Sequence, residues 1–166
     1  VGLAIAKRAA ADGANVVIAA KTVEPHYKLP GTIFTAAEEC EALGGEALAL
    51  QVDIRDDAAL KDALDQAATR FGGIDVVVNN ASAVDNKDAH AIAVPKYDLV
   101  HSVNGRGTFM TSKFALPHLF ASGTAGRNPH VLNIAPPLSM DPAWFRLCGA
   151  AYTMSKYNMS LCGIGM

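Results

Sequence analysis

The feature that most restricts this chain is the alternation of two hydrophobic periods along it. Short apolar runs stand at residues 15–20, 47–52, 74–78 and 130–134. Each is five or six residues long and most are rich in Val, Ile or Leu, the pattern of a strand buried on both faces. Helical patterns fill the intervals. After Asp56, apolar residues recur at Leu60, Ala63, Leu64, Ala67, Ala68 and Phe71, one face of a helix. Asp56 or Asp57 caps its start and Gly72-Gly73 ends it. Residues 32–43 read as a helix with a Thr35-to-Glu38 capping box, closing on Gly44-Gly45. Residues 1–11 form a helix that ends at Asp12-Gly13, and 97–120 a long one disturbed near Gly105, Gly107 and Pro117. A last helix runs from Ala151.

The order α-β-α-β-α-β-α-β-α predicts an α/β fold of Rossmann type, a doubly wound parallel sheet with helices on both faces. With no repeat and no linker, residues 1–166 are expected to form a single, partial dinucleotide-binding domain. Residues 22–31, 122–129 and 136–148 read as loops, the last holding Pro136-Pro137 and Trp144-Phe145.

Composition excludes several classes. A net charge of −2 with scattered basic residues argues against nucleic acid as a partner. No apolar run approaches the roughly 18 residues of a membrane span, and no secretory leader pattern opens the chain. Cys40, Cys148 and Cys162 are widely spaced and odd in number, the usage of reduced thiols. The expected location is therefore intracellular, most simply the cytoplasm, with peroxisome or mitochondrion as eukaryotic alternatives. No metal is expected, because the five histidines are dispersed and no CxxC or HxxxH occurs.

Tyr152 and Lys156 carry the chemistry. Four residues apart on a helix, they share a face. At roughly 5 Å and an effective dielectric near 20, ammonium and phenolate attract by about 3 kcal/mol. That brings a tyrosine normally near pKa 10 into the range of a useful proton donor. A surface Tyr and Lys would match the spacing equally well, but this pair opens a helix after the fourth strand, the end of the sheet where α/β proteins bind ligands.

Three further sites point to a dinucleotide. Strand 15–20 ends in Ala20-Lys21, where NAD-binding units place an acid for the ribose 2′-hydroxyl. A lysine there favours a 2′-phosphate, hence NADP(H) over NAD(H). The alternative is a solvated lysine at a strand end. Asn79-Asn80-Ala81-Ser82 follows the third strand with small residues that admit a ligand close to the backbone, or it is an ordinary Asn turn. Asp53 either accepts from an adenine amino group or caps the following helix.

Taken together, Asp53, Asn79-Asn80-Ala81, Val103-Asn104-Gly105 and Tyr152-xxx-Lys156 resemble the short-chain dehydrogenase/reductase family over essentially the whole chain. Ile18-Ala-Ala-Lys21-Thr22, Pro25-His26, residues 31–39, Asn133-Ile-Ala-Pro136-Pro137-Leu138 and Trp144-Phe145 point to one subgroup of it. The resemblance implies Tyr152 as general acid/base, Lys156 lowering its pKa and holding the nicotinamide ribose, and Asn104 supporting the lysine through water. It implies adenine contact by Asp53, cofactor lining by Asn80 and Ala81, and a 2′-phosphate on Lys21. Val1-Gly2 resembles the end of the family's phosphate turn. The implied reaction interconverts an alcohol with a ketone or aldehyde, on a small hydrophobic substrate. A homo-oligomer is implied through helix 97–120 and the helix from Ala151.

Two departures stand out. The family places a serine just after the fourth strand seen here, where this chain has Ala135-Pro136. Ser139, thirteen residues before Tyr152, is the candidate replacement. A non-catalytic dinucleotide-binding or scaffold protein is therefore the second reading. Further, a first strand and the last strands of the family's sheet have no counterpart among these residues. The expectation is a fragment, inactive by itself, of a domain of roughly 250 residues or more, with visible strands 2, 3, 4 and 5 of the order 3-2-1-4-5-6 and the central slot open.

Overall fold

In a computed structural model, residues 1–27 and 31–166 are described. They divide into two compact units, Val1–Ile74 and Asp75–Met166.

The first unit contains α1 (Gly2–Ala11), β1 (Val16–Ala20), α2 (Ile33–Glu41), β2 (Ala47–Gln51) and α3 (Asp57–Phe71). β1 and β2 pair in parallel with Val16 opposite Ala47 and Ala20 opposite Gln51. α2 covers both strands, and Ile33, Ala37 and Cys40 are its buried face. Lys7 of α1 donates to Glu39 of α2 at 2.7 Å. The capping box of α2 forms one turn earlier than the sequence suggests: Thr32 and Thr35 exchange side-chain and backbone hydrogen bonds. A threonine hydroxyl at the third position completes the box as a glutamate would. Asp56 caps α3 through the amides of Ala58 and Ala59, and Gly72, at φ +78°, closes it in the left-handed conformation. Part of the predicted 22–31 loop, residues 28–30, lies outside the described residues.

The second unit contains β3 (Val76–Asn79), α4 (Val94–Val100), a π-helical segment (His101–Gly107), α5 (Thr108–Thr124), β4 (His130–Asn133), α6 (Pro142–Cys148) and α7 (Ala150–Gly165). β3 and β4 run parallel with Val76 opposite His130 and Asn79 opposite Asn133. α7 packs on the π segment, α4, α5, α6 and β4.

The strands pair as a 3-2-1-4-5 order requires, 2 with 3 and 4 with 5, in two separate two-stranded parallel sheets. Burial on both faces is not met: Ala19, Ala20, Val76 and Leu132 are exposed. The long helix begins three residues before Tyr97 and continues four beyond Phe120, and its disturbance is the seven-residue π turn. Pro117 is accommodated within α5. Residues 122–124, read as loop, belong to α5. So too the loop at 136–148 contains a helix, because Asp141 caps the amide of Ala143 and Pro142 starts the turn.

Candidate active site

In the first unit, the hydrogen bond from the Val52 amide to the Ala20 carbonyl carries the ladder one residue past the strands. Lys21 and Asp53 thus lie side by side, Nζ 3.7 Å from Oδ2. Arg55 joins them, donating from Nε to Oδ1 at 3.0 Å and from Nη2 to Oδ2 at 2.6 Å, with its own amide on Oδ1. The Arg55 hydrogen bonds, with Lys21 nearby, hold the Asp53 carboxyl far below its ordinary value. Asp53 does not cap α3, since Asp56 does. Two cations around one carboxylate leave a net positive cluster at the C-terminal ends of parallel strands. That donor set suits a phosphate monoester. Arg55 was not singled out by the sequence; its place two residues after a strand-end acid was the available signal. Gly2 is the first residue of α1, whose N-cap, Val1, offers no side-chain acceptor.

In the second unit, Asn79 is the end of β3 and not part of a turn. Its buried amide donates to Ser112 Oγ at 3.0 Å and to Asn133 Oδ1 at 2.8 Å. Asn133 in turn donates to the Met159 carbonyl at 2.9 Å, tying β3 and β4 to α7. Asn80 and Ala81 follow on the exposed side of the strand end.

Asn104 is fully buried within the π segment. Its Oδ1 accepts from the Ala83 amide at 2.8 Å, and its Nδ2 donates to the Ala83 carbonyl and to Ser155 Oγ, both at 2.9 Å. It therefore mimics a neighbouring strand for residue 83 and grips α7 one residue before Lys156. Ser155 donates on to the Tyr152 carbonyl at 2.7 Å. The sequence reading missed Ser155 and Asn133, whose importance depends on partners more than 20 residues away.

Tyr152 and Lys156 lie one turn apart on α7 and line one cavity with Pro136, Trp144, Cys148, Thr153 and Tyr157. Among the described residues none hydrogen-bonds the Tyr152 hydroxyl. Lys156 is buried; its Nζ donates to the Ile134 carbonyl at 2.7 Å and lies 3.1 Å from Met159 Sδ. Burial pushes its ammonium below the ordinary value. No carboxylate among the described residues pairs with it, so an anion formed beside it, such as a phenolate, would relieve the cost of its charge. Ser139 accepts from the Asp141 amide through its hydroxyl at 3.2 Å and from the Tyr157 hydroxyl through its carbonyl at 2.8 Å.

Parallel strands alternating with helices, with Tyr152 and the buried Lys156 on one cavity, are the arrangement of a Rossmann-type domain. The short chain dehydrogenase family matches residues 1–161, and the chain belongs to it. It is 54% identical over all 166 residues to hydroxysteroid dehydrogenase-like protein 2 of Danio rerio, of which it covers 39%. A short chain dehydrogenase of Mycobacterium thermoresistibile, 47% identical, superposes with a TM-score of 0.91 over 99% of this chain and 56% of its own. A metagenomic short-chain oxidoreductase bound to NADP is 27% identical, with a TM-score of 0.80 over 96% of this chain and 66% of its own. The chain thus spans about two fifths of the curated relative's length. The family fold binds NAD or NADP, and among the described residues no helix is long and apolar enough to cross a membrane.

Proposed function

We propose that the protein is an NADP(H)-dependent oxidoreductase that interconverts an alcohol with a ketone or aldehyde. The observation that carries this reading is the Tyr152 phenol, engaged by no described residue, on the same cavity and helix face as the buried Lys156. When bound, the nicotinamide supplies or accepts the hydride. The chain's own residues handle the proton. In reduction the Tyr152 hydroxyl protonates the substrate oxygen, and Lys156 stabilises the phenolate left behind. Asn104 fixes the helix turn that carries both groups, through Ser155.

Lys21 and Arg55 would hold a 2′-phosphate, and Asp53, kept ionised by them, would accept from adenine. Gly2, Asn80, Ala81 and Lys156 would contact the remainder of the cofactor. The substrate is a small hydrophobic carbonyl compound or alcohol. Exposed Phe109, Phe120, Leu161 and Ile164 on α5 and α7 support a homo-oligomer.

NADPH oxidation with a panel of ketones, by the full-length protein and its Tyr152→Phe variant, tests the reading. A loss of about 10²-fold or more in the variant is expected for a removed acid. Equal rates would remove Tyr152 from the chemistry. Ala135, in the place of the family's serine, favours the second reading of a non-catalytic binder; tight NADPH binding without turnover of any ketone would establish it.

A further inference from the structure

The cavity beside Tyr152 has a volume of about 170 Å³. A dry apolar protein cavity of roughly 150 Å³ takes up benzene. Its walls are nearly all apolar and come from Pro136, Trp144, Cys148, Tyr152 and Tyr157, with Thr153 and Lys156. The polar groups that line it are largely committed elsewhere. The Tyr157 hydroxyl is held by the Ser139 carbonyl at 2.8 Å, so the residue offers its ring, braced edge-on by Phe145 at 5.8 Å. Thr153 Oγ1 points at the Trp144 carbonyl at 3.4 Å, and Lys156 Nζ is held by Ile134. Lys156 is the one cation of the lining and serves the Tyr152 phenolate, so no second cation there would compensate an anionic substituent as it left water.

We propose that this cavity receives an uncharged substituent of the substrate carbonyl about the size of a phenyl ring or a short branched alkyl group, making aryl or short branched alkyl ketones and their alcohols the substrate class. The inference rests on the oxidoreductase reading for its chemistry, but occupancy of the cavity can be tested without turnover.

Cys148 in the wall provides the probe. With 2-bromoacetophenone, the Cys148 sulfur forms a bond to the methylene carbon, bromide leaves, and the thiol proton goes to solvent. Cys162, half-buried on α7 and outside the cavity, is the internal reference. Full-length protein is treated separately with 2-bromoacetophenone and with iodoacetate, and the Cys148-to-Cys162 labelling ratio is read by mass spectrometry. The ratio should be about tenfold higher for the aryl ketone, the discrimination a fitted apolar pocket provides. Added acetophenone should slow labelling of Cys148 only. Equal ratios for the two reagents, or no protection, overturn the proposal. In the NADPH assay acetophenone should exceed 4-acetylbenzoate in kcat/KM by at least about tenfold; the reverse order overturns it. Protected labelling of Cys148 without turnover of any ketone supports the cavity's occupant and overturns the oxidoreductase reading instead.

Discussion

Ala135 follows β4 with its amide bonded to the Asn133 carbonyl, at the place where the family resemblance implies a serine. Ala135→Ser should restore a donor for the substrate oxygen and raise kcat by about 10²-fold, with KM nearly unchanged. Steady-state kinetics on the full-length protein would show it, and an unchanged kcat would mean that the reacting oxygen lies elsewhere. Asp75 makes a prediction about pH. Its carboxyl accepts from Ser122 Oγ and from Arg127 Nε, and these contacts lower its pKa from the ordinary 3.8. Between the lowered folded value and 3.8 the unfolded chain binds more protons, so stability rises with pH there and is lost as pH falls through the folded value. Asp75→Asn should flatten that acid limb in a pH series of urea melts. At this scale the sequence was informative where chemistry is local: Tyr152, Lys156 and Lys21 could be named from spacing and strand ends. Ser155 and Asn133 could not, because each acts through a partner that only the fold supplies, whereas Arg55 had a local signal in Asp53 two residues before it.

The π-helical segment shows what period-reading resolves and what it does not. Gly105 and Gly107 marked the disturbance, but not that one extra residue per turn would bury Asn104 against residue 83 and α7. α6 lay inside the stretch read as a loop on Pro136-Pro137, although Pro142 starts a helix there. Two glycines test how tightly these elements are joined. A methyl group on Gly105 would lie 3.0 Å from Asn158 Nδ2, a side chain able to yield. On Gly149, at φ +72° between α6 and α7, it would lie 2.5 Å from the Lys87 carbonyl oxygen, which is backbone. Gly105→Ala should therefore stay within about 1 kcal/mol of the wild type, and Gly149→Ala should cost about 3 kcal/mol or more. The check is the shift in urea midpoint at constant slope.

At the scale of the whole molecule, helices cover small sheets. A two-stranded sheet is marginal unless something packs on it, and here α2 does so in one unit and α5 and α7 in the other. Hydrogen exchange on the 166-residue chain should find the amides around Cys40 and Met159, both fully buried on those helices, the slowest of their units. Strand amides should open at about 2 kcal/mol less. The alternation of periods made parallel strands legible, and the strand order implied by the family resemblance gave the pairing of β1 with β2 and β3 with β4. Exposure of Val76 and Leu132 was not, since period alone does not say how many layers cover a strand. The loop after β4 has a different kind of consequence. Lys156, Ser160 and Tyr157 of α7 hold the carbonyls of Ile134, Pro136 and Ser139 at 2.7, 2.9 and 2.8 Å. The loop that walls the cavity and the helix that carries Tyr152 and Lys156 are thereby one mechanical part. A lineage that changes its diet by altering this loop would alter its acidity profile in the same step, and the two traits would be inherited together.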